Sequence, residues 1–174
     1  MLASERASVR ADPGAWIRYG ILGGVIAGVV FAMFEMIVAA LMIGGEAFFM
    51  PLRMIGGIVL GPSALDPATS LLASGAAGLG LHMALSMAYG VATAAALSIV
   101  PRLSSTTTAT VVAASVAGFA LWIVNFYLFA PPFGWTWFPN DTNPVVQFVA
   151  HTFAFGTVLG LVLDRTLFAH RSFA

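Results

Sequence analysis

Residues 19–43 read YGILGGVIAGVVFAMFEMIVAALMI, an apolar run in which Glu35 is the only charged residue. At 1.5 Å of rise per residue, it exceeds the about 20 residues that an α-helix needs to cross the hydrocarbon of a bilayer. It is too long for the core of a signal peptide and no small-residue cleavage pattern comes after it, so a retained membrane anchor is expected. Three more stretches of the same kind lie at about 71–100, 109–130 and 144–163. The whole composition agrees. Of 174 residues, 60% are hydrophobic and 8% charged, where soluble domains carry roughly a quarter charged. Mean hydropathy is +0.96. The expected fold is all-α, a bundle of four transmembrane helices forming a single integral membrane domain over residues 1–174.

Punctuation and charge set the topology. Asp12-Pro13, Asp66-Pro67 and Asn143-Pro144 each pair a capping residue with a proline, whose missing N–H costs nothing in the first helical turn. Pro101 closes the second span. The seven cationic residues are all arginine. Arg6, Arg10 and Arg18 precede the first span, Arg102 lies between the second and third, and Arg165 and Arg171 come after the fourth. Arg53 alone falls on the other side. By the positive-inside rule both termini are cytoplasmic, with residues 1–12 as a polar tail and the cell's inner (plasma) membrane as the expected location. With zero net charge and no basic cluster, nucleic acid is not an expected partner. With no cysteine, thiolate catalysis, disulfides and cysteine-ligated metals are excluded.

The two outer connections carry most of the irregular sequence. Residues 44–69 include the apolar piece 47–62, interrupted by Pro51, Arg53 and Gly56-Gly57, which suits an interfacial or re-entrant segment better than a fifth span. Glu46 and Arg53 are placed to pair there. Residues 131–139 are rich in aromatics, which reads either as an interfacial belt or as a lid over a site between the helices. The chain also hints at duplication. Ala27-Gly28 precedes Glu35 as Ala117-Gly118 precedes Asn125, and His82 and His151 then hold corresponding places in two helical hairpins.

Ionisable side chains within hydrocarbon are costly and mark functional sites by default. Glu35, His82 and His151, with the uncharged Asn125, are the candidates. Counting residues from the outer helix ends puts all four in one layer, roughly 7–16 Å deep. Helical spacing also aligns them with small or polar residues. Glu35 continues the ridge Gly20, Gly24, Gly28 and Ala32. His82 lies on a stripe with Gly75, Gly78, Ser86, Tyr89 and Thr93. Asn125 shares a face with Ala114 and Gly118, and His151 with Gln147. The layer therefore points into the bundle.

Several readings of that layer stay open. Glu35, His82, Asn125 and His151 together suit a transition metal. The inward histidines of the second and fourth spans resemble the cytochrome b four-helix core, and that resemblance implies haem b with His82 and His151 as axial ligands. A structural reading pairs Glu35 with His82 and Asn125 with His151, in an accessory or scaffold subunit whose partners are lipid and other membrane subunits. A transport or proton-relay reading uses Glu35 and His82 with the stripe leading inward. No Walker loop or Gly-x-Ser-x-Gly motif is present, so an enzyme is the weaker expectation. The phrases 31–36 (FAMFEM), 51–55 (PLRMI) and 147–152 (QFVAHT) resemble small four-helix proteins of bacterial inner membranes. That resemblance implies a free-standing bacterial membrane protein and carries no chemistry.

Overall fold

The computed structural model describes residues 12–168; the tail before it, with Arg6 and Arg10, and Arg171 lie outside the described residues. Among those residues the chain is helical with no strand. Six helices organise it: α1 (Pro13–Met42), α2 (Met50–Leu60), α3 (Leu71–Ile99), α4 (Thr107–Phe129), α5 (Trp137–Asn140) and α6 (Pro144–Thr166). α1, α3, α4 and α6 are the four helices long and apolar enough to cross a membrane, and the protein is a multi-pass membrane protein. α2, at 11 residues, spans only about 16 Å.

The expected caps hold at two of three starts. Asp12 accepts from Gly14 N at 2.8 Å, and Asn143 accepts from Val145 N at 2.9 Å and Val146 N at 3.3 Å. Asp66-Pro67 does not start a helix. Asp66 instead closes a tight turn by accepting from Ala68 N at 2.8 Å, and Ser70 caps α3. The reason lies in Arg53. Its guanidinium donates to the carbonyls of Ala64, Asp66 and Thr69 at 3.0–3.1 Å, which holds residues 64–69 in a turn and delays the helix. Arg53 is thus engaged with backbone carbonyls rather than in the expected ion pair with Glu46.

The four spans form a ring in the order α3, α1, α6, α4. Two sides of it are seams of backbone contact. Gly20, Gly24 and Gly90 bring α1 against α3, where a Cβ on Gly20 would stand 2.5 Å from Val91 Cα. Gly118, Gly156 and Gly160 do the same between α4 and α6, where a Cβ on Gly156 would lie 2.6 Å from Ala114 O. With no hydrophobic drive between helices in lipid, such close van der Waals approach is the main source of association. α3 and α4 meet far less closely and form the loosest side of the ring.

α2 is fixed at the end of the bundle that carries the connections 43–70 and 130–143. Gly78 of α3 packs directly on the Leu52 carbonyl, and Gly56 on that of Ser74. From the other side, Trp137 Nε1 donates to Met54 O at 3.1 Å, and its ring covers Gly57. Glycine at position 78 is therefore a steric requirement. Gly78→Ala is expected to lower the melting temperature in detergent by about 4 °C or more, a loss of roughly 2 kcal/mol. Gly80→Ala, with open space around it, is expected to leave it unchanged or raise it. Equal melting of the two variants contradicts this packing.

Candidate functional site: a polar-floored cavity between the helices

A cavity of about 470 Å³ opens among the helices near the connection-bearing end, within the range of about 300–1,000 Å³ typical of small-molecule sites. The polar layer expected from sequence lies along it. Glu35, His82, Asn125 and His151 all line it, as do Ser86, Tyr89 and Gln147. Thr93 is buried but lies outside the lining. Aromatic side chains supply much of the remaining wall: Phe31, Phe126, Phe129, Phe138 and Phe155, with Phe133 and Trp135 from the connection 130–143. Aliphatic residues of α2, among them Met54 and Ile58, complete it.

Each polar side chain is held by a specific partner, and the partners differ from those expected. Glu35 is joined to Gln147, whose Nε2 donates to both carboxylate oxygens at 3.1 and 3.0 Å. His82 is not in that pair. Its Nε2 faces the Gly28 carbonyl at 2.9 Å. Asn125 does not reach His151; its Oδ1 accepts from Tyr89 Oη at 3.1 Å, joining α3 to α4 across the loose side of the ring. His151 Nδ1 meets the Gln147 carbonyl one turn earlier on its own helix, at 3.0 Å. The cause is the ring order. α1 packs on α6 as well as on α3, so Gln147 comes within reach of Glu35 while Phe31 fills the space between the histidines.

That filling bears on whether the two histidines fit a haem. Phe31 stacks on His82 with ring centroids 5.3 Å apart and meets His151 edge-on at 4.8 Å. A porphyrin needs both imidazoles to face its iron from opposite sides, and a phenyl ring occupies that place. His82 Nε2 is also already committed to a backbone carbonyl. The residues do not fit haem. They do not fit a transition metal either. Among the described residues no three His, Asp or Glu side chains come close enough to hold one ion, and the Glu35 oxygens are turned to Gln147.

The helices themselves are irregular here. α4 becomes a π-helix over Val124–Phe129 and α6 over Ala150–Thr157, so Asn125 and His151 each sit in one. The wider i→i+5 turn displaces the register of the residues beyond it, and such segments concentrate at functional sites. Sequence reasoning missed these segments, the Glu35–Gln147 pair and the contribution of α2. The pair had a signal, since Gln147 stands one turn before His151 on the same face. The connection 130–143 lines the cavity through Phe133, Trp135 and Phe138. No protein family, curated protein or solved structure matches the chain.

Glu35 depends on Gln147 for its neighbour. Gln147→Leu removes both donated bonds and leaves a buried carboxylate alone, which is expected to cost about 1–3 kcal/mol. Gln147→Asn or Gln147→Glu changes reach or charge as well, so the leucine variant, matched in size, is the cleaner measurement by thermal unfolding. Unfolding indistinguishable from wild type would mean that the pair contributes nothing.

Proposed function

We propose that the protein is a small-molecule-binding membrane protein of transporter type, whose cavity takes an amphipathic guest with its polar part on the Glu35–Gln147 floor. One observation carries the reading: a cavity large enough for a small organic molecule combines aromatic and aliphatic walls with a few convergent polar groups, the composition typical of ligand sites. The geometry favours this over a purely structural scaffold. A polar layer that served only to join helices would be satisfied by close packing, without an open volume beside it. The Tyr89–Asn125 bond closes the loosest side of the ring, the natural entry for a lipid-dissolved guest.

The membrane placement belongs to the same proposal. Arg18, Arg102 and Arg165 lie at the end of the bundle away from α2 and α5, which supports cytoplasmic termini in a bacterial inner membrane and a cavity toward the outer side. α2 is then an interfacial segment, and α1–α3 and α4–α6 are two duplicated hairpins, each closed by a glycine seam. The chain has no cysteine, so single cysteines report sidedness directly. Thr136→Cys is expected to react with a membrane-impermeant maleimide on intact cells, and Ser105→Cys only after permeabilisation. The opposite pattern inverts the topology.

Binding is testable with a neutral probe. Among the four tryptophans, Trp135 lines the cavity. In nanodiscs, 1-bromonaphthalene is expected to quench Trp135 fluorescence saturably, above the linear quenching due to probe in lipid. The saturable component should vanish in Trp135→Phe and weaken by roughly tenfold when Leu85→Phe and Leu121→Phe fill the cavity. Linear quenching alone, indifferent to the filling, rules out the proposed site.

A further inference from the structure

The geometry points to the charge of the guest: the cavity binds a lipophilic organic cation, with Glu35 as its counter-ion. This rests on the cavity being a ligand site and adds a class of ligand to that reading.

Among the described residues the cavity has a carboxylate in its lining and no lysine or arginine, and the sequence contains no lysine at all. Arg53, the nearest arginine in sequence to the lining residues of α2, is bonded to three backbone carbonyls. Gln147, the partner of Glu35, is a neutral amide and fills only two of the carboxylate's about four accepting positions. Glu35 is buried at 8% exposure, and a carboxylate so placed is stabilised most by an opposite charge brought beside it in a medium of low dielectric.

The neighbouring groups bias the site the same way. The Gly28 and Gln147 carbonyls can only accept, so in the neutral rings His82 carries its proton on Nε2 and His151 on Nδ1. The second nitrogen of each ring is left as an acceptor on a residue that lines the cavity. Asn125, whose Oδ1 is taken by Tyr89, and the Ser86 hydroxyl are the neutral donors that remain in the lining. Around them, α1, α3, α4, α6 and the connection 130–143 all present aromatic rings, among them Phe31, Tyr89, Phe126, Trp135 and Phe155. The negative faces of such rings attract cations, more strongly when water is excluded. A carboxylate, two bare imidazole nitrogens and an aromatic wall make a site that attracts positive charge and repels an anion of the same shape.

Tetraphenylphosphonium and tetraphenylborate have nearly the same shape and opposite charge, and serve as the probes. Radiolabelled binding to protein in neutral-lipid nanodiscs is measured with protein-free discs subtracted. Tetraphenylphosphonium is expected to bind saturably, and tetraphenylborate at least roughly tenfold more weakly. Glu35→Gln, which still accepts from Gln147, is expected to lower the affinity for tetraphenylphosphonium roughly tenfold relative to that for 1-bromonaphthalene. Glu35→Asp, which keeps the charge, is expected to retain the preference for the cation. Equal binding of the two ions to the wild-type protein, or a Glu35→Gln variant with an unchanged ratio, overturns the inference while saturable 1-bromonaphthalene binding leaves the ligand site standing. If no probe binds saturably, the ligand site itself falls, and the charge preference with it.

Discussion

The structure depends on how closely helix backbones approach at glycine. Along α1–α3 and α4–α6 the seams are so tight that a single Cβ would collide with backbone of the opposite helix. In lipid the apolar surfaces of helices gain little by leaving their surroundings, so this contact, with the dispersion and weak polar interactions it allows, is what holds the pairs together. The seams join the spans into two closely packed hairpins. α1 and α6 also pack together, while α3 and α4 meet sparsely and leave the loosest side beside the cavity between the hairpins. α2 then closes its end by the same device, with Gly78 seated on the Leu52 carbonyl.

Polar groups inside such a structure must find partners within the protein. Here single residues satisfy several groups at once. Gln147 serves twice, donating through its side chain to Glu35 and accepting through its backbone from His151. Arg53 satisfies three carbonyls of an irregular connection with one guanidinium, using the planar fork that lysine lacks. The consequence for the cavity is an imbalance. The Gln147 amide and the Tyr89 hydroxyl are spent on internal partners, and the cavity lining keeps a carboxylate with no lysine or arginine beside it.

The irregular helical segments connect packing to the site. A continuous α-helix through residues 124–129 or 150–157 would carry a different face toward the bundle axis beyond each segment. The π-turns keep Gly118 and Gly156 in the seam while Asn125 and His151 remain on the cavity wall. In the second segment Thr157 Oγ1 donates to the Thr152 carbonyl five residues earlier at 3.3 Å and lies 2.7 Å from Ser115 Oγ of α4, tying the segment to the neighbouring helix.

The amino-acid sequence by itself determined the membrane class, the number and approximate bounds of the spans, and the residues that share the polar layer. All three come from hydropathy, helical period and the cost of a charge in hydrocarbon, which are local or one-dimensional properties. Glu35, His82, Asn125 and His151 were legible because each is an exception within an apolar run. Their partners were not. Whether Glu35 meets His82 or Gln147 depends on which helix lies on which side of α1, and the spacing within one helix carries no information about its neighbour. The same holds for Phe31 between the two imidazoles, for the turn that Arg53 imposes on residues 64–69, and for the cavity. Only the tertiary structure decided these, because a void and its lining are properties of how helices pack around a space, not of any segment taken alone.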